Sequence, residues 1–229
     1  MIRVYRARRR LRRRASARMN IFARIFDAIL PPHADVVEAR RLSRNTLANL
    51  YAPHEGAAQW ITSLFPYSDP GVRALIHAMK YHNETRALAP AAELLGGYVI
   101  ELIAEKKLLD GWTMPLLVPI PPSPRRLRER GYGQAERILK AALPFIYGGG
   151  TPAPTTLIRE ERTSQVAVPR RERAANIAGA FSVPNPAAVR GRVIILIDDV
   201  TESGTTFADA RRALLAAGAH DVHAVALAR

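Results

Sequence analysis

The sequence contains no cysteine among its 229 residues. That excludes a disulfide framework and a zinc–thiolate site, and it fits a reducing compartment, so a cytoplasmic location is the expectation. Uninterrupted apolar runs are also missing. None nears the ~18 residues that span a bilayer, and no secretory h-region is present, so stable membrane insertion is not expected. The common nucleotide loops are absent too: neither G-x-x-x-x-G-K-S/T nor G-x-G-x-x-G follows a predicted strand. Acidic residues are lacking at one end, where residues 1–18 hold nine arginines and no Asp or Glu. Taking those nine from the net charge of +14 leaves +5 for residues 19–229, which are therefore only mildly basic. The arm suits non-specific attachment to phosphate backbones or anionic lipid. It equally has the composition of an Arg-rich targeting segment, of a disordered extension, or of sequence upstream of a true start at Met19. Its charge does not decide function.

What is present suffices for one sizeable core, since 48% of the residues are hydrophobic. Ile21, Phe22, Ile25, Phe26, Ile29 and Leu30 recur at helical spacing before Pro31, predicting an amphipathic helix docked on its own domain. Residues 34–51 read as a polar, Arg-rich helix. Asp69-Pro70 is a start signal for a helix whose apolar face is Val72, Leu75, Ile76 and Met79, with Lys80 near its end. Residues 87–106 read as a longer amphipathic helix. Strands then alternate with helices. Strands are expected at 114–120, 155–158, 193–197 and 222–227, and helices at 133–143, 169–181 and 206–217, with a Gly/Pro loop after residue 146. Continuous apolar strands between helices predict an α/β fold with a mostly parallel, twisted sheet covered on both faces. Ligands of such sheets sit beyond the carboxyl ends of the strands.

The stretch "VIILIDDVTESGTTFADARRALLAAG" (193–218) places two acids at that end. Ser203, Gly204, Thr205 and Thr206 precede a predicted helix, whose first-turn N–H groups and dipole favour a phosphate. Gly204 permits the positive φ that brings backbone close to an anion. Asp198 and Asp199 repel a phosphate but accept hydrogen bonds from neutral hydroxyls. A sugar phosphate meets both demands. The competing reading is local: an Asx turn at the acids and a helix cap at Thr205 or Thr206.

These residues carry a resemblance. "IILIDDVTESGTT" resembles the phosphoribosyl pyrophosphate (PRPP)-binding motif of type I phosphoribosyltransferases. "VPIPPSPRRLRERGYGQA" (118–135), "RTSQVAVPRRERAANIAGAF" (162–181) and "YSDPGVRALIHAMKY" (67–81) resemble segments of ComF-type competence proteins, in that family's order. The resemblance covers residues 19–229. It implies the type I phosphoribosyltransferase fold over 85–229, with the N-terminal helical region 19–84 as the hood that recognises an acceptor base. It implies PRPP held by Asp198, Asp199, Val200, Thr201, Glu202, Ser203, Gly204, Thr205 and Thr206. The acids would meet ribose hydroxyls and the loop would hold the 5-phosphate. The turn at Pro121, Pro122 and Ser123 would face pyrophosphate through a cis proline, and Arg162 and Thr163 would open a mobile loop. Magnesium would enter on PRPP rather than on a protein ligand. The activity implied is phosphoribosyl transfer to a nitrogenous acceptor. The other role implied is non-catalytic, in DNA uptake with single-stranded DNA or competence proteins as partners.

Two departures stand out. Glu202 sits where the family loop carries a neutral residue, and residues 27–60 lack the cysteines of the family's zinc-finger-like segment. The His77/His82 and His220/His223 pairs lack carboxylate support at a familiar metal spacing. Arg125, Arg126, Arg128 and Arg130 read equally as phosphate contacts or as a solvated helix start.

Overall fold

The computed structural model describes residues 33–55, 58–160 and 179–229. The Arg-rich arm and the helix expected over 21–30 lie outside them. The segment expected as one helix over 34–51 is two, α1 (Ala34–Arg41) and α2 (Arg44–Leu50). The break falls where Leu42 turns extended and the Ser43 hydroxyl accepts the Thr46 N–H, a bond that a capping serine makes more readily than a helix-interior one. α3 (Pro70–Tyr81) starts as its signal predicts, with the Asp69 carboxylate accepting the Val72 N–H at 3.0 Å and Pro70 in the first turn. α4 (Ala89–Asp110) stops at Gly111 in the left-handed region, φ +65°.

The central sheet holds β1 (His54–Glu55), β2 (Ile61–Phe65), β3 (Leu116–Pro119), β4 (Thr151–Pro152), β7 (Val193–Val200) and β8 (Asp221–Ala228), in the order β1-β2-β8-β7-β3-β4. Only β1 runs antiparallel to its neighbour. A separate antiparallel ribbon joins β5 (Ile158–Arg159) to β6 (Phe181–Ser182). The remaining helices are α5 (Pro124–Arg130), α6 (Gln134–Ala142) and α7 (Thr205–Ala216). The class is the expected one: α/β, a mostly parallel sheet flanked by helices.

Alternation along β7 sorts the core into two layers. Val193, Ile195 and Ile197 pack with the apolar faces of α1 to α4 and α6, whereas Ile194 and Leu196 pack with Phe207, Ala210 and Leu214 of α7. β7 lies between β8 and β3, so its carboxyl end opens at the middle of the sheet.

Several expected boundaries move. β2 falls inside the segment expected to be helical. Its five residues, ITSLF, are all buried, so no alternation marks them, and a short apolar run has no period of its own. β4 arises in the expected Gly/Pro loop, and β5 keeps only the last residue of the strand expected over 155–158. Phe181, the expected end of a helix from residue 169, belongs to β6; residues 169–178 of that helix lie outside the described residues. No unbroken apolar run reaches bilayer length, yet one segment has the length and composition of a span. Arg86–Asp110 is long and apolar enough to cross a membrane by length and composition, with a mean hydropathy of 1.5 over 18 residues. Scattered charges hide it from a search for unbroken runs. In the fold, its Ala91, Ala92, Leu95, Val99 and Leu102 are buried in the core.

Candidate functional site

The quoted stretch builds one end of the sheet. β7 continues through Asp198 and Asp199 to Val200, beyond its predicted end, so the acids stand on regular strand. They follow opposite layers: Asp198 succeeds Ile194 and Leu196, and Asp199 succeeds Ile195 and Ile197. Asp198 Oδ1 accepts the Asp199 N–H at 2.9 Å, and Asp199 Oδ1 accepts the Val200 N–H at 2.9 Å. Asp199 is 8% exposed. Its Oδ2 lies 2.9 Å from Lys80 Nζ of α3, in charge contact but outside hydrogen-bond alignment, so that oxygen has no hydrogen-bond partner. Desolvation first, and the charge of Asp199 second, push the Asp198 carboxyl well above the ordinary carboxylate range; Lys80 offsets this only in part.

The loop after the acids turns back on itself. Thr201 is buried and donates its N–H to the Ala228 carbonyl at 3.0 Å, while Glu202 and Ser203 are exposed. Ser203 Oγ and Thr205 Oγ1 share a 2.6 Å hydrogen bond. Gly204 adopts φ +74°, and a Cβ there would come within 2.9 Å of Ile61 Cδ1. α7 begins at Gly204 with no side-chain cap. Apart from the Thr205 N–H, which donates to Ser203 Oγ at 3.4 Å, the helix N-terminus is left to water or to a ligand.

Beyond this edge lies a cavity of about 380 Å³, within the size range of small-molecule sites. One wall is the continuous segment 198–207. The other is basic. Arg126 and Arg130, one turn apart on α5, face the cavity together with Arg159 of β5, and Lys80 stands beside the acids. Arg125 and Glu129 occupy a different stripe of α5 and pair with each other at 2.7 Å. Burial first, and the like charge of Arg126 second, lower the pKa of the Arg159 guanidinium. Gln134 also borders the cavity; it is 8% exposed, and its Nε2 has no hydrogen-bond partner. The cavity therefore offers hydroxyl acceptors, an uncapped helix start and several cations around one volume.

Of the residues singled out in the sequence, Asp198, Asp199, Val200, Thr201, Glu202, Ser203, Gly204, Thr205 and Thr206 all border the cavity, as do Pro121 and Pro122. Ser123 does not. It caps α5, its hydroxyl accepting the Arg126 N–H at 3.3 Å. The expected cis proline is not found: no peptide bond among the described residues is cis. Arg162 and Thr163 lie outside the described residues. Sequence reasoning missed Arg159 and the joint role of Lys80 and Gln134, which only the packing of α3, α6 and β5 brings to the acids. One usable signal existed, the four-residue spacing of Arg126 and Arg130.

No protein-family model matches the chain. It is 25% identical over 171 residues to the DNA utilization protein YhgH of Escherichia coli (strain K12), an alignment covering 75% of this chain and 72% of that protein. It is 26% identical over 172 residues to the protein of the same name from Salmonella typhimurium, with the same coverages. Among solved structures, a hypoxanthine phosphoribosyltransferase from Staphylococcus aureus is similar at a TM-score of 0.39 and 14% identity, over 62% of this chain and 63% of that one.

The acids carry no arginine ion pair in the described structure; the cation against them is Lys80. The Lys80 ammonium offsets the charge of Asp199, whose Oδ2 accepts no hydrogen bond among the described residues.

Proposed function

We propose that this chain is a ComF-type phosphoribosyltransferase-domain protein that binds PRPP in the cavity at the carboxyl end of β7. The observation that carries the reading is the division of that cavity. Two acids and an uncapped helix start form one wall, and Arg126, Arg130 and Arg159 line the other. The 5-phosphate rests on the Ser203–Thr206 loop, the ribose hydroxyls on Asp198 and Asp199, and the pyrophosphate toward the arginines. No histidine among the described residues borders the cavity, and its carboxylates and hydroxyls are hard oxygen donors, compatible with magnesium. Magnesium would be held by the pyrophosphate rather than by a protein ligand, and would supply charge stabilisation to the leaving group. A nitrogenous acceptor forms a bond to the anomeric carbon as the carbon–oxygen bond to pyrophosphate breaks, and the acceptor loses its proton. Positive charge developing on the ribose ring is stabilised by the acids beneath it.

Isothermal titration of PRPP with magnesium tests the reading. The native chain binds, and the double variant Asp198→Asn/Asp199→Asn loses about tenfold or more in affinity, the size of one or two charge-assisted hydrogen bonds. Unchanged affinity in the folded double variant sinks the assignment.

A second reading rests on the relatives named for DNA utilization. In it, the protein serves DNA uptake by contacting single-stranded DNA or competence proteins, and the two roles are compatible because a fold does not fix a pathway. A gel-shift assay with residues 19–229 separates this role from the arm's non-specific charge: retained single-stranded DNA binding supports it, and loss of binding assigns the contact to the arm.

A further inference from the structure

The start of α1 lies beside the end of α3, and there two imidazoles and a carboxylate converge. One donor atom each from His33, Asp35 and His82 lies within 4.8 Å of the others. The His33 and His82 rings stack with centroids 4.5 Å apart, inclined by 20°. Asp35 Oδ2 is 3.4 Å from His33 Nδ1 and 3.6 Å from His77 Nδ1. None of the four borders the cavity beyond β7. The ligand set escaped sequence spacing because it is split between the first residues of one helix and the end of another.

We propose that His33, Asp35 and His82 form a binding site for a divalent transition metal, zinc in particular, with His77 orienting the carboxylate. Two imidazoles and one carboxylate suit zinc, nickel or copper, and disfavour magnesium and calcium, which take oxygen ligands. Three protein ligands leave a fourth tetrahedral position for water. Zinc bonds of about 2.0–2.2 Å place donors about 3.4 Å apart around a tetrahedron, the spacing His33 Nδ1 and Asp35 Oδ2 already have, so donors now within 4.8 Å of one another close by at most about 1.4 Å. They have the freedom to do so: the His33 side chain is 57% exposed and His82 is exposed beyond the end of α3. Ligation through His33 Nδ1 gives up the 3.3 Å hydrogen bond it accepts from the Asp35 N–H, and the His33 and His82 rings tilt out of their stack. His77 occupies the place of an outer ligand, its ring facing the carboxylate from α3 as partners of metal-bound groups do. A bound ion would clasp an eight-residue helix to α3 in a chain with no disulfide, and binding to the folded state alone raises stability.

The test is zinc chloride titrated into the full chain, purified without a histidine tag, followed by calorimetry and thermal unfolding. One equivalent binds and raises the unfolding midpoint, while magnesium chloride at the same concentration does neither. His82→Ala weakens zinc binding by more than about 100-fold and His77→Ala by about 10-fold, since ligands outrank their outer partners. His220→Ala, at an exposed histidine elsewhere, leaves binding unchanged. His82→Asn keeps a polar group at the helix end and loses zinc like His82→Ala while remaining folded by circular dichroism. The proposal is overturned if the native chain binds no zinc. It is overturned equally if the His33→Ala/His82→Ala double variant binds zinc as the native chain does, which marks an adventitious ion only. Neither result bears on PRPP binding.

Discussion

Asp198 follows a run in which Val193 through Ile197 are all buried and is itself half-buried, and desolvation of its carboxyl is what distinguishes it from a surface acid. Its pKa is raised above the ordinary 3.8, by desolvation first and by Asp199 second. A raised acid contributes stability that is fully present below 3.8 and lost as pH rises through the raised value. At pH 7, above the ordinary 3.8, the desolvated Asp198 carboxyl is therefore a cost to folding. Asp198→Asn is predicted to raise the unfolding midpoint at pH 7 by about 2–4 °C, the response of a domain of this size to about 1 kcal/mol. If PRPP binds as proposed, the same variant weakens its binding. Scanning calorimetry at pH 7 and at pH 3 checks the sign, because the gain disappears where both residues are neutral. Asp209 has the opposite sign. Burial raises its pKa, but the Gly179 N–H at 2.7 Å, Arg212 at 2.7 Å and the Ala180 N–H at 2.8 Å together outweigh burial and leave it depressed. Its contribution is present above 3.8 and lost as pH falls through the depressed value. Asp209→Asn is expected to cost about 1–3 kcal/mol at pH 7, through unpaired buried donors, and progressively less in acid. Equilibrium denaturation across pH measures it. At this scale the sequence was most informative where the site is contiguous. Asp198 to Thr206 could be read in order, whereas Lys80, Gln134 and Arg159 come from three other elements and carry no local mark.

Elements with a strong period or a clear cap were legible. α3 begins at its Asp69-Pro70 signal, and α7 and β8 begin and end within a residue or so of expectation. The failures share a physical cause: a tertiary partner supplied what the local pattern did not. β2 is a strand because it pairs with β8, and β4 because it pairs with β3. The turn from α3 to α4 shows the same dependence. Glu84 is buried there, its Oε2 accepting from Arg40 Nε of α1 at 2.8 Å and its Oε1 accepting the Arg86 N–H at 2.6 Å. One carboxylate thereby joins α1 to the turn that leads into α4. Glu84→Ala is predicted to destabilise by about 1–3 kcal/mol, because it strands partly buried donors rather than removing a surface charge. Urea denaturation should show a lower midpoint with an unchanged slope. An effect under about 0.5 kcal/mol, typical of exposed positions, would contradict that role.

For the whole molecule, net charge is a poor guide and its placement a good one. Nine of the arginines behind the +14 lie in residues 1–18, outside the described structure, while the cavity brings cations and acids together around one volume. The α/β class was readable because buried parallel strands and covering helices impose different periods on the chain. The sheet order was not, since pairing between distant strands leaves no local trace. The central claim is that a phosphorylated pentose lies across the end of β7. A crystal structure of the chain with PRPP and magnesium tests it most directly. The account predicts the 5-phosphate within hydrogen-bond distance of the Thr205 and Thr206 backbone N–H groups, with ribose hydroxyls on Asp198 and Asp199 and Lys80 displaced from Asp199. PRPP bound elsewhere, or in this cavity with its 5-phosphate against the arginines and its ribose away from both acids, would contradict it.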